Sequence, residues 1–194
     1  MTPEEFFGEG GPAEELGKQL PPGNLEVLCR LLNSEKKQHI LCGSWGSGKT
    51  LVLLCGMAYD IWEFFEKGDE VHKDQWRCVL VGLFNRTNFV IEEETRSILA
   101  QVDGWKVEAA LGEYGEEGTV VKKGEESVFV HQALTPGVGT NLISIAVDTQ
   151  MAHRGEWMTR WLSRGPVGRC WKVLYQQEDE TLTTLRRPDD TGRA

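Results

Sequence analysis

The stretch GSWGSGKT at positions 43–50 combines glycines, a lysine and a threonine at spacings that suit the holding of a polyphosphate. Glycines let the chain wrap with successive backbone N–H groups turned inward, and a following helix adds its unpaired N-terminal N–H groups to the same anion. On this reading Gly43, Ser44, Trp45, Gly46, Ser47 and Gly48 form the cradle. Lys49 neutralises the β- and γ-phosphates of a bound nucleotide, and the Thr50 hydroxyl takes one position on Mg²⁺. The stretch matches the P-loop pattern G-x-x-x-x-G-K-[ST] in full. The plainer alternative is a Gly-rich turn that only joins a strand to a helix. The flanks favour the cradle, because an apolar run, HILC, leads in and LVLL leads out into a helix.

A phosphate-bound Mg²⁺ also needs a carboxylate at the end of a nearby apolar strand. LISIAVD supplies one in Asp148, on a strand expected to lie beside the P-loop strand; a carboxylate that merely ends a strand is the alternative. Arg154, Arg160, Arg164 and Arg169 follow closely and form either a phosphate-facing set or, more commonly, a solvated helix face. Trp157 and Trp161 stand one helical turn apart and with Trp171 could stack on bases, although core packing is the commoner use of such residues. Asn85, Arg86, Thr87 and Asn88 are polar, follow a sheet strand, and are candidates to touch single-stranded DNA or RNA. A helix-capping turn with Asn88 as N-cap explains them equally well. His39, His72, His131 and His153 make no metal pattern.

These residues need a scaffold, and the chain alternates short apolar runs with helical segments, the pattern of an α/β domain with a mainly parallel sheet. HILC, RCVLVGLF, WKVEAAL, SVFVHQAL, LISIAV and CWKVLY read as strands, with TVVKK as a hairpin arm. Residues 23–34, 49–67 and 88–102 read as helices, and GEWMTRWL as a short one. The first 19 residues carry five glutamates against one lysine and read as a flexible acidic leader; 20–177 form the domain, and 178–194 a flexible tail.

Composition narrows the field. A net charge of −9 over 194 residues argues against a general polyanion binder. No apolar run approaches a membrane span, and the acidic N-terminus is unlike a secretory signal, so an intracellular setting, cytoplasm or nucleus, is expected. The five cysteines are widely spaced and read as reduced core residues.

Taken together, residues 20–177 resemble the first RecA-like domain of superfamily 1 helicases. LPPGNLEVL resembles that family's entry segment, with Asn24 where a glutamine usually contacts adenine. GSWGSGKT is similar to its Walker A motif, VLVGLFNRTNFVIEEE to the strand and loop that face single-stranded nucleic acid, and ISIAVDTQMAHRGEWMTRWL to its Walker B segment. The resemblance implies a P-loop NTPase fold, a RecA-like three-layer α/β/α sandwich, with ATP and Mg²⁺ as ligands. Thr149 stands where the family has the water-activating Glu, and a threonine is no general base at neutral pH. Glu156 and Gln150 are the candidates to take that part, and Gln176 and Gln177 the candidates to contact the γ-phosphate. The family closes its ATP site with a second RecA-like domain, for which the residues after Asp148 are too few. The expectation is therefore an ATP-binding helicase-like domain working with a second domain or protein partner. A nucleotide-binding regulatory module with little hydrolysis and a single-domain phosphotransferase stay open beside it.

Overall fold

Two short helices open the computed structural model, which describes residues 1–43, 47–67, 76–81, 88–111, 117–133, 141–147 and 169–175. They correct the flexible acidic leader. Helix α1 (Pro3–Phe7) starts in a capping box, in which the Thr2 N–H donates to Glu5 Oε2 at 2.8 Å and the Glu5 N–H to Thr2 Oγ1 at 3.2 Å. It drives Phe6 and Phe7 into the core, where Phe6 meets the Tyr59 and Trp62 rings at 5.3 and 5.2 Å. Helix α2 (Glu14–Gln19) buries Leu16, flanked by Ala13 and Leu20. Each fully buried Phe or Leu contributes about 1.5–3 kcal/mol, which outweighs what exposed glutamates cost a segment this short.

Helix α3 (Pro22–Leu32) turns Leu28, Cys29 and Leu32 inward against α4 (Lys49–Lys67). Helix α4 is buried along most of its length because its apolar residues go round more than one face. Helix α5 (Asn88–Leu99) begins at Asn88 itself, so Asn88 is its first residue and not its N-cap.

The strands are β1 (Gln38–Gly43), β2 (Trp76–Val81), β3 (Lys106–Leu111), β4 (Glu117–Lys123), β5 (Glu126–Ala133), β6 (Asn141–Val147) and β7 (Arg169–Tyr175). They form one sheet in the order β1-β7-β6-β2-β5-β4-β3. The first five in that order are mutually parallel, and β4 and β3 extend the sheet antiparallel. Long connections run from β1 to β2 and from β6 to β7, whereas β3, β4 and β5 follow one another closely, as antiparallel pairing permits.

Helices α4 and α5 touch each other and lie over one face of this sheet, α4 above β1, β7 and β6, and α5 above β3, β4 and β5. That face is built from aligned buried residues: His39, Trp171 and Ala146 share one row, Leu41 and Val173 another, Val121 and Val128 a third. Gly56 of α4 sits directly on Trp171; a Cβ there would stand 2.7 Å from the indole ring, so only glycine lets helix and strand come this close. The segments expected to supply a second helical layer, GEWMTRWL among them, lie outside the described residues.

One expected neighbour relation is overturned. β7 lies between β1 and β6, so the strand leading to Asp148 is not beside the P-loop strand. Two strand spacings, about 10 Å, separate them. Local sequence encodes that a run is a strand, but not which other strand it pairs with.

Candidate phosphate-binding site

β1 ends at Gly43, and α4 opens at Lys49 and Thr50, so the GSWGSGKT stretch spans a strand-to-helix turn. Ser44, Trp45 and Gly46 lie outside the described residues. The second half of the turn is defined. Gly48 has φ +77°, a left-handed conformation that glycine adopts without strain. Its carbonyl accepts the Val52 N–H at 3.0 Å, which starts the hydrogen-bond ladder of α4. Lys49 is only 7% exposed, and its ammonium reaches back to donate to Ser47 Oγ at 3.1 Å. Thr50 follows in the first turn, half-buried. Asn24, in the first turn of α3, donates from Nδ2 to the Ser47 carbonyl at 2.8 Å.

A cleft of about 420 Å³ opens beside this turn, along the side of β1, with Asn24, Arg30, Leu31, Ile40, Ser47 and Lys49 among its lining. Cys42 also lines it and is exposed, against the expectation of a core residue; Cys29 and Cys55 are buried, and burial pushes the Cys55 thiol up to about 12. The arrangement has the parts an anion site uses: a helix N-terminus, a positive-φ glycine and a buried lysine at the mouth of a cleft.

All five parallel strands end on this side of the sheet, at Gly43, Tyr175, Val147, Val81 and Ala133. In open α/β sheets that is where ligands bind. Asp148, Thr149, Gln150 and Glu156 follow β6; Asn85, Arg86 and Thr87 follow β2; Gln176 and Gln177 follow β7; all these lie outside the described residues. Tyr175 pairs with Gly43, so the chain leaves β7 right beside the start of the cradle. Among the described residues no group of three or more His, Cys, Asp or Glu side chains is placed to hold a metal ion.

The opposite end of the sheet holds a cluster that the motifs do not announce. Asp60, buried in α4, accepts from Ser144 Oγ at 2.6 Å, Trp171 Nε1 at 2.8 Å and Arg169 Nη1 at 2.7 Å. Arg169 also donates to Glu63 at 2.9 Å and to the Leu32 carbonyl at 3.1 Å, and it lies over the Tyr59 ring. Burial pushes the Asp60 carboxyl upward, against the Arg169 charge and the three donors. Burial likewise pulls on the Arg169 guanidinium, but Asp60 and Glu63 outweigh it and hold its pKa above the ordinary arginine value. Arg169 is thus neither phosphate-facing nor on a solvated helix, because it opens β7 at the end remote from the cradle. Trp171 is core. The sequence does carry a signal for this cluster: a lone aspartate inside the apolar run LCGMAYDIW must be paired to be buried.

The described part of the stretch is thus a strand-to-helix turn with a positive-φ glycine that opens on Lys-Thr, set in a mainly parallel sheet. No family model matches the chain, and no curated protein matches it. Among solved structures, the large terminase from a thermophilic bacteriophage is similar, with a TM-score of 0.54 at 13% identity over 79% of this chain. The match covers 38% of the terminase chain, so the likeness is one of fold over part of a longer protein. Fold and motif together support a distant P-loop NTPase relation. No helix among the described residues is long and apolar enough to cross a membrane.

Proposed function

We propose that this chain is an ATP-binding, RecA-like P-loop domain that acts on single-stranded DNA or RNA in concert with a second domain or protein. The observation that carries the reading is the turn at Ser47–Lys49, where a positive-φ glycine delivers a buried lysine to the N-terminus of α4 at the mouth of a cleft. Gly43 to Gly48 wrap the phosphates, Lys49 takes the β/γ charge, and Thr50 with Asp148 holds Mg²⁺. The pairing of Tyr175 with Gly43 supports Gln176 and Gln177 as contacts of the γ-phosphate. Asn85, Arg86, Thr87 and Asn88 come after β2 in the sequence, and β2 has its carboxyl end on the cradle side of the sheet; they are the proposed nucleic-acid contacts.

A specific residue favours a second reading, a module that binds nucleotide with little turnover: Thr149 stands where a water-activating carboxylate is expected. Glu156 and Gln150 are the residues that hydrolysis would have to use. Titration with ATP and GTP in Mg²⁺, followed by turnover assays with and without single-stranded DNA and RNA, separates the two. Turnover stimulated by nucleic acid supports the first, and tight binding without turnover the second. Equal nucleotide binding by wild type and Lys49→Ala would remove both.

A further inference from the structure

Asn24 lies at the junction of the cleft and the phosphate turn, and its side chain faces the turn. The entry to α3 is stiffened by Pro21 and Pro22, and the Asn24 N–H donates to the Pro21 carbonyl at 2.8 Å, so the residue is held at its backbone before its side chain acts. From there Nδ2 donates to the Ser47 carbonyl at 2.8 Å. The same nitrogen stands 2.9 Å from where a Cβ on residue 48 would be, so any larger residue there would push the amide off its acceptor. Residues 24 and 48 are therefore fitted to each other.

The consequence is a matter of peptide geometry. In a trans peptide the C=O and the following N–H point in opposite directions, and the chain has no cis peptide among its described residues. A Ser47 carbonyl held toward α3 turns the Gly48 N–H away from α3. Gly48 at φ +77° then passes the chain into α4. Without the amide, the Ser47–Gly48 peptide has a glycine on one side and is free to rotate, because glycine accepts both signs of φ.

We propose that Asn24 is a positioning residue for the phosphate cradle: it fixes the Ser47–Gly48 peptide so that the Gly48 N–H serves the polyphosphate, and it does so without reading the base. This rests on the nucleotide-binding reading above. It differs from the adenine contact that the family resemblance implies for this position, because it engages one of the two Asn24 amide N–H groups with the loop carbonyl rather than with a base.

The test uses a ligand with no base. Affinities for Mg²⁺-tripolyphosphate, ATP and GTP are measured for wild type, Asn24→Leu, which keeps the shape but has no donor, and Lys49→Ala, with urea unfolding as a check that each variant is folded. A hydrogen bond of ordinary strength corresponds to a loss of about three- to tenfold. Asn24→Leu is expected to weaken all three ligands by that factor and to leave the ATP-to-GTP ratio unchanged. Undiminished tripolyphosphate binding, with ATP alone weakened, would make Asn24 a base reader and overturn the proposal, as would no change for any ligand. Lys49→Ala separates the two levels: if it binds all three as wild type does, the cradle reading falls and the proposal with it.

Discussion

The two ends of the sheet use buried charge in opposite ways. At the amino end, Asp60 and Arg169 satisfy each other and their neighbours in a cluster that buries Asp60 almost fully and Arg169 and Glu63 in part, with Ser144, Trp171 and the Leu32 carbonyl completing the set. At the carboxyl end, Lys49 is nearly as deeply placed but lines a cleft of about 420 Å³. Helix α4 connects the two, with Lys49 in its first turn and Asp60 three turns on, about 16 Å along the axis. A buried charge whose partners close around it ties elements together. One placed at the mouth of a cleft can be reached by a ligand.

Three changes at the amino end put this division at risk. The largest effect is expected for Asp60→Ala, which leaves Arg169 buried beside a void: a loss of about 3–5 kcal/mol in urea unfolding, with nucleotide affinity of the folded protein changed by less than about 0.5 kcal/mol. A large affinity change at preserved stability would mean that the two ends are coupled. Gly56→Ala comes next, since the new methyl meets the Trp171 ring at 2.7 Å. Overpacking of that kind costs about 1–3 kcal/mol, seen as a lower urea midpoint with an unchanged slope.

The smallest effect is a pH slope at His39. This residue is 3% exposed, stacks on Trp171 at 4.6 Å, and its Nε2 has no hydrogen-bond partner among the described residues. Burial, helped by the nearby Arg169 charge, holds its pKa below the ordinary histidine value. The folded chain therefore binds this proton less readily than the unfolded one. The stability contributed by keeping His39 neutral is full above about pH 6.5 and is lost as pH falls below it, by at most about 1.4 kcal/mol per unit. His39→Phe keeps a ring on Trp171 and should flatten unfolding free energy between about pH 7 and 5.5. An unchanged slope would move the titration elsewhere.

Much of this scaffold is legible in the sequence because it is written locally. Lys49–Lys67 can be read to its ends from an apolar run closed by Gly68, and β6 from LISIAV, since strand and helix periods need only neighbouring residues. Phe6, Phe7 and Leu16 escape such a reading, because the charge density around them hides the few apolar residues that decide burial. The placing of β7 between β1 and β6 escapes it too, because parallel pairing joins residues more than a hundred positions apart, with no local mark. At the candidate site, Lys49, Thr50 and Gly48 follow from a motif whose spacing is itself the geometry. The Asn24–Ser47 hydrogen bond does not, since it depends on how α3 seats against the turn.

On the proposed function, the carboxyl end binds nucleotide through Lys49 while the fold is held elsewhere. Urea unfolding of wild type and Lys49→Met, with and without ATP and Mg²⁺, tests both halves in one experiment. At a ligand concentration about a hundred times Kd, the wild type should gain about 2.7 kcal/mol, whereas Lys49→Met should gain almost nothing and match the ligand-free wild type to within about 1 kcal/mol. An equal gain in both proteins would contradict the account.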